Sequence, residues 1–172
     1  GLKKPDSGRV EIYGKKINQV ENLIGYVPQM TEFNRQFPIC VSEVVLMGRL
    51  DRSLKLFKKY TEEDKKYVRE LLIKVQLEGQ QQRQIGQLSG GQLQKVLIAR
   101  ALACEPEIML LDEPTASVDS ESRNKIYSLL KELNQEMTVI IVTHDMAAIS
   151  DYFDSIACLN KELHYHGDRE LN

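Results

Sequence analysis

Two unbroken apolar runs, Ile108-Met109-Leu110-Leu111 and Val139-Ile140-Ile141-Val142, constrain this chain more than any other feature. Neither alternates with polar residues, so each reads as a strand covered on both faces, the signature of parallel strands in an α/β sheet. Between them Ile126, Leu129, Leu130 and Leu133 make the apolar stripe of a crossover helix beginning near Asp119 or Ser120. A third short apolar strand, Leu23 to Val27, is stopped by Pro28 and followed at once by Gln29.

Polar groups follow each of these strands. Asp112 and Glu113 end the first run, which puts two carboxylates at the carboxyl edge of a parallel sheet, where ligands of α/β proteins collect. Two solvated acids at a strand tip would look the same; an aspartate there can also hold Mg²⁺ while a neighbouring glutamate orients or deprotonates water. Thr143, His144 and Asp145 follow the second run and should emerge on the same edge, and Gln29 makes a third polar group there. Leu88-Ser89-Gly90-Gly91-Gln92 opens a helix that continues through Leu93, Val96, Leu97 and Ala101 towards Glu105. Paired glycines at a helix start have no use in a core and leave backbone N–H groups uncovered, where the helix terminus can meet phosphate. Ser89 as a simple N-cap is the plainer reading.

From about residue 30 to Leu88 the pattern is helical. Val41 to Leu50 reads as one helix, and Thr61-Glu62-Glu63-Asp64 reads as a capping box ahead of Val68, Leu71, Leu72 and Val75. The chain opens with turn chemistry at Pro5 to Gly8 and an alternating strand from Arg9 to Tyr13, read as a hairpin, and closes with strands at Ser155–Asn160 and Glu162–Tyr165.

Composition narrows the function. With 23 Lys+Arg against 25 Asp+Glu there is no positive field to draw nucleic acid or anionic lipid, and the absence of Trp leaves little for base stacking. No apolar run nears the ~18 residues needed to cross a bilayer, so we expect a cytosolic protein that meets a membrane through a partner. Cys40, Cys104 and Cys158 are too scattered for a disulfide framework or a CxxC metal site and are expected to be reduced core thiols.

In order and wording these motifs resemble the nucleotide-binding subunits of ABC transporters over essentially the whole chain. Tyr26 to Gln29 looks like the Q-loop, Leu88 to Gln92 matches the LSGGQ signature letter for letter, and Ile108 to Thr115 looks like Walker B with its glutamate. Ala116-Ser117-Val118-Asp119 is similar to the D-loop and Val142 to Asp145 to the switch histidine. The resemblance implies an α/β fold with a P-loop NTPase (RecA-like) core, a parallel sheet, antiparallel β segments and a helical signature subdomain. The core would comprise 1–29 and 93–172, the helical part 30–92. It implies two subunits paired head to tail around two ATP molecules, each clasped by Ser89, Gly90, Gly91 and Gln92 of the neighbour, with Asp119 near that contact. Asp112 would serve Mg²⁺, Glu113 the attacking water, His144 the γ-phosphate, and Gln29 the metal or water.

The family carries a phosphate loop, G-x-x-x-x-G-K-S/T (Walker A), ahead of the segment that begins this sequence, and these 172 residues contain no such pattern. We therefore expect the first core strand and the Walker A helix to be missing, ATP to bind this polypeptide weakly or not at all, and the chain to be part of a longer protein. Phe37-Pro38, Val44 to Arg49 and Leu159 to Gly167 resemble ATPases of zinc and manganese uptake, with ferric-siderophore or cobalamin importers the alternative. A permease docked near Met30 to Phe37 and, indirectly, a substrate-binding protein would be its partners. ABC ATPases of DNA repair insert long coiled coils between Q-loop and signature, and no sustained heptads occur here. A non-catalytic module lending its signature to a partner's ATP is the remaining reading.

Overall fold

The computed structural model describes residues 3–20, 23–29, 37–50, 60–116, 118–145 and 152–166. Strands β1 (Glu11–Ile12) and β2 (Lys15–Lys16) form a small antiparallel hairpin. Its turn is Tyr13-Gly14, both left-handed at φ 53° and 70°. The expected turn at Pro5 to Gly8 is instead a run of bends leading into the hairpin.

The centre is a three-stranded parallel sheet of β3 (Ile24–Val27), β4 (Ile108–Asp112) and β5 (Thr138–Val142), in that order. Val27 pairs with Leu111 and Asp112 with Val142, so all three strands end along one edge. One face, carrying Val27, Met109 and Leu111 with Val139 and Ile141 beside them, packs into the core. Helix α3 (Gly90–Leu102) reaches that face closely because Gly25 has no Cβ; one built there would lie 3.0 Å from Pro106 Cγ and 3.1 Å from the Ala101 carbonyl oxygen. Helix α4 (Ser120–Leu133) makes the crossover between β4 and β5 and buries Ile126, Tyr127, Leu129, Leu130 and Leu133.

The opposite face departs from expectation. Tyr26, Ile140 and Val142, which share it by register, are 40%, 47% and 60% exposed, so the unbroken apolar runs are covered on one side only. A run without polar alternation states that both faces are compatible with burial; burial itself needs a second layer, and no described residue supplies one.

The helical part consists of α1 (Val41–Leu46), a 3-10 turn at Met47–Arg49, and α2 (Glu62–Lys74), packed against α3. The helix expected over Val41 to Leu50 thus tightens after Leu46. Thr61 caps α2: its hydroxyl accepts from Asp64 N–H at 3.1 Å while Asp64 Oδ2 accepts from Thr61 N–H at 2.9 Å, the reciprocal pattern its sequence announced. One continuous core joins Val45, Leu72 and Val75 to Val96, Met109 and Leu129 through α3, and the boundary between residues 92 and 93 falls inside that helix. Strands β6 (Ile156–Asn160) and β7 (Glu162–His166) pair antiparallel as a separate, exposed hairpin. The cysteines are not core thiols: Cys104 and Cys158 are exposed and Cys40 is half-buried.

Candidate functional site

The site is built where β4 and β5 end. Asp112 closes β4, and the chain then turns at Glu113, which takes a left-handed backbone, φ 46°, uncommon for a residue with a Cβ. Glu113 N–H donates to the Val142 carbonyl at 2.8 Å, which ties this turn to the end of β5. Its side chain points into the loop that follows β5. Glu113 Oε1 accepts from His144 N–H at 3.0 Å and lies 2.6 Å from His144 Nδ1, while Thr143 Oγ1 donates to Oε2 at 3.4 Å. An ionised carboxylate can only accept, so against an ionised Glu113 the proton lies on Nδ1, with Nε2 left for another partner. The glutamate side chain is 15% exposed and the imidazole 82%, so a largely buried acid orients an imidazole that faces outward.

Sequence spacing put Glu113 and His144 on one sheet edge, and the fold adds a direct contact between them. Gln29 stands on the same sheet edge, two residues beyond the Val27–Leu111 pair, and is exposed. Asp112 is half-buried at the same edge. Among the described residues no group of three or more His, Cys, Asp and Glu could cage a metal. A single carboxylate such as Asp112 nonetheless suits Mg²⁺, which keeps several waters and is shared with substrate phosphates rather than held by protein alone.

The remaining candidates gather at two helix heads. Ser89 caps α3: its Oγ accepts from Gln92 N–H at 3.2 Å and its N–H donates to Gln92 Oε1 at 3.0 Å. Gln92 is thus engaged within its own helix, and Gly90 and Gly91 present the uppermost amides. The expectation that the glycines have no use in the core is corrected at Gly91, which is buried; a Cβ there would stand 2.7 Å from Ser122 Cβ. Asp119 caps α4, its Oδ1 accepting from Ser122 N–H at 2.9 Å, and the hydrogen bonds from Ser122, that N–H first, hold its carboxyl below the ordinary carboxylate range. The glycine therefore seats the head of α3 against the head of α4, bringing Ser89–Gln92 beside Asp119.

Behind this lies a buried brace in which Thr115 Oγ1 and Tyr127 Oη are 3.0 Å apart. The Tyr127 ring stacks on Tyr152 at 5.5 Å and meets Phe153 edge-on at 5.7 Å. Sequence reading missed Arg123, whose Nη1 donates to Asp145 Oδ2 at 2.8 Å. Only its place one turn into α4 hinted at it, and no local pattern marks a partner 22 positions away.

Residues 1–116 match the sequence profile of the ABC transporter family. The manganese transport system ATP-binding protein MntB of Halalkalibacterium halodurans is 44% identical over 94% of this chain and 64% of its own length. The zinc uptake system ATP-binding protein ZurA of Listeria innocua is 40% identical over 99% of this chain and 72% of its own length. The chain belongs to the ABC transporter family. It spans 64% to 72% of the length of these curated relatives. Among solved structures, an ABC transporter described as metal-chelate type, in an inward-facing conformation, superposes with a TM-score of 0.85 at 32% identity, covering 100% of this chain and 66% of that one. A dimeric ATP-binding cassette, MJ0796, in a post-hydrolysis state with ADP and Pi, gives 0.69 at 32% identity over 95% of this chain and 75% of that one. The fold is that of ABC ATPase domains, an α/β P-loop NTPase type with a parallel sheet and antiparallel segments.

Proposed function

We propose that this chain is the catalytic and signature-bearing part of an ATP-hydrolysing subunit that drives uptake of a divalent metal ion, manganese or zinc. The observation that carries the chemistry is the contact between Glu113 and His144 at the carboxyl edge of the sheet. The likeness to manganese and zinc transport proteins supports the cargo.

In this reading Asp112 serves Mg²⁺ and Glu113 orients and activates the attacking water. His144, held at Nδ1 by Glu113, offers Nε2 to the γ-phosphate, and Gln29 faces metal or water. Bound ATP with Mg²⁺ supplies the phosphoryl group and the charge neutralisation for its transfer; the protein contributes position and electrostatics. Ser89, Gly90, Gly91 and Gln92 approach the nucleotide of a second ATPase subunit, alike or equivalent, with Asp119 at that interface. Gly91 seated on Ser122 supports this, because it fixes the helix head that would make the approach. The 172 residues hold no G-x-x-x-x-G-K-S/T loop. We infer that this polypeptide alone binds ATP weakly or not at all and is inactive.

A permease would hold the subunit at the inner face of the membrane, with a substrate-binding protein delivering the ion. Among the described residues no helix is long and apolar enough to cross a membrane. Of the proposed permease contact, residues 30–36 lie outside the described residues, and Phe37 is 57% exposed.

The test is Glu113→Gln in the full-length protein. ATP binding should persist while hydrolysis falls at least about a hundred-fold, as loss of a general base predicts; unchanged turnover removes Glu113 from its role. Depletion and resupply of manganese and of zinc, with uptake followed by elemental analysis in cells carrying this variant, distinguishes the cargo.

A further inference from the structure

We propose that Arg123 is a positioning residue: it tethers the loop 143–145 to the head of α4 and so keeps His144 against Glu113. The inference rests on the reading of Glu113 and His144 as the hydrolytic pair.

His144 cannot fix itself. Its side chain is 82% exposed, and among the described residues the contacts that hold it run to Glu113. The loop it occupies is fastened from the other side. Asp145 N–H donates to Thr143 Oγ1 at 3.1 Å, and Thr143 Oγ1 donates onward to Glu113 Oε2, so residues on both sides of His144 are joined to the glutamate. The Asp145 carboxylate is then gripped by Arg123 at 2.8 Å, with the two side chains 19% and 36% exposed. A partly shielded Arg–carboxylate contact is stronger than a fully solvated one, because water screens it less and the bond is charge-assisted.

The anchor is itself immobilised. Ser122, the residue before Arg123, lies under Gly91 at the start of α3, and Asp119 caps the same turn. The head of α4 therefore stands between the signature helix and the loop that carries His144. Because an angular error at a reacting group lowers the rate far more than it lowers binding, the tether acts on turnover and not on nucleotide affinity.

In the full-length protein, Arg123→Ala should speed hydrogen exchange at the His144 and Asp145 amides about ten-fold, as expected when a local opening becomes easier. It should lower kcat for ATP hydrolysis about ten-fold with KM changed by less than about two-fold, the signature of a lost positioning contact. Arg123→Lys should recover part of both. Asp145→Asn, nearly isosteric, should reproduce the loss, and the double variant should lose no more than either single one. Lys125→Ala, which removes an exposed pair with Glu121 on the same helix, should alter neither readout. Wild-type exchange and turnover in Arg123→Ala, or in Asp145→Asn should the alanine variant not fold, overturns the tether. If the unmodified protein hydrolyses no ATP, the hydrolytic reading fails instead, and unaltered amide exchange in either variant still overturns the role of Arg123.

Discussion

The helical part is built from more polar sequence than the central sheet, yet it buries its apolar residues more completely. On the inward faces of α1 and α2 the apolar residues are sealed: Val41, Val45, Leu72 and Val75 are 0% exposed. Even the polar groups are tied down there. Arg49 Nε donates to Asp64 at 3.1 Å, and its Nη1 donates to Glu105 at 2.6 Å and to the Ala103 carbonyl at 3.1 Å. The guanidinium also sits 5.1 Å from the Tyr67 ring centroid. In the sheet, by contrast, β5 runs through Ile140 and Val142 with one side bare. The difference teaches that an apolar run encodes a capacity for burial, and that what lies opposite decides whether it is used.

That contrast can be broken in order of severity. Leu72→Ala, in the sealed part, should cost about 3 kcal/mol, the loss of a buried side chain plus the cavity it leaves; chemical denaturation measures it, and a cost below that of an exposed substitution would show the helical part to be loosely packed. Gly48→Ala comes next. Its Cβ would meet the Arg100 carbonyl oxygen at 2.1 Å and Ala103 Cβ at 2.7 Å, at the last turn of α3 and its C-cap. Overpacking of this kind should cost about 2 kcal/mol, and a neutral result would mean that the turn at Met47–Arg49 can move away from α3.

Asp64→Asn is smaller and depends on pH. Hydrogen bonds from Thr61, its backbone N–H before its hydroxyl, and then from Arg49 hold the Asp64 carboxyl below the ordinary range. A folded value below the unfolded one means the stabilisation is complete above about pH 4 and drains away as the pH falls through the folded value. The variant should therefore lose about 1 kcal/mol at neutral pH, as for a weakened cap, with the gap to the parent closing in acid. A gap that persists at low pH would assign the effect to shape rather than charge. Smallest is Ile140→Ser on the bare face, expected within about 0.5 kcal/mol in this chain, as for other surface changes. Repeating it in the full-length protein sharpens the comparison, since a cost of several-fold more there would show that this face becomes a buried one.

Much of the site was legible because it is written in strand-end positions. Two apolar runs, each followed at once by acids or by Thr143-His144-Asp145, already imply a shared edge, since parallel strands align their carboxyl ends. Helix heads were legible for a similar reason: Ser89 and Asp119 satisfy amides within three residues of themselves, a local chemistry. The fate of Gly91 was not legible, because its value depends on Ser122 of another helix, and Arg123 escaped notice because its partner lies across the fold. Exposure failed too at Cys104 and Cys158, where residue type suggested a core and position gave a surface.

What the sequence determined by itself is the set of short-range commitments. They are the strand and helix segments, the caps, and the residues that stand at the sheet's carboxyl edge, all fixed by patterns a few residues long. Tertiary structure alone decided that Glu113 takes a left-handed turn and closes on His144. It also decided that α4 lodges between Gly91 and Asp145, and that one side of β5 stays open. The reason is physical: caps and periodicities are energies between neighbours along the chain, whereas contact and burial are energies between surfaces that only the completed packing brings together.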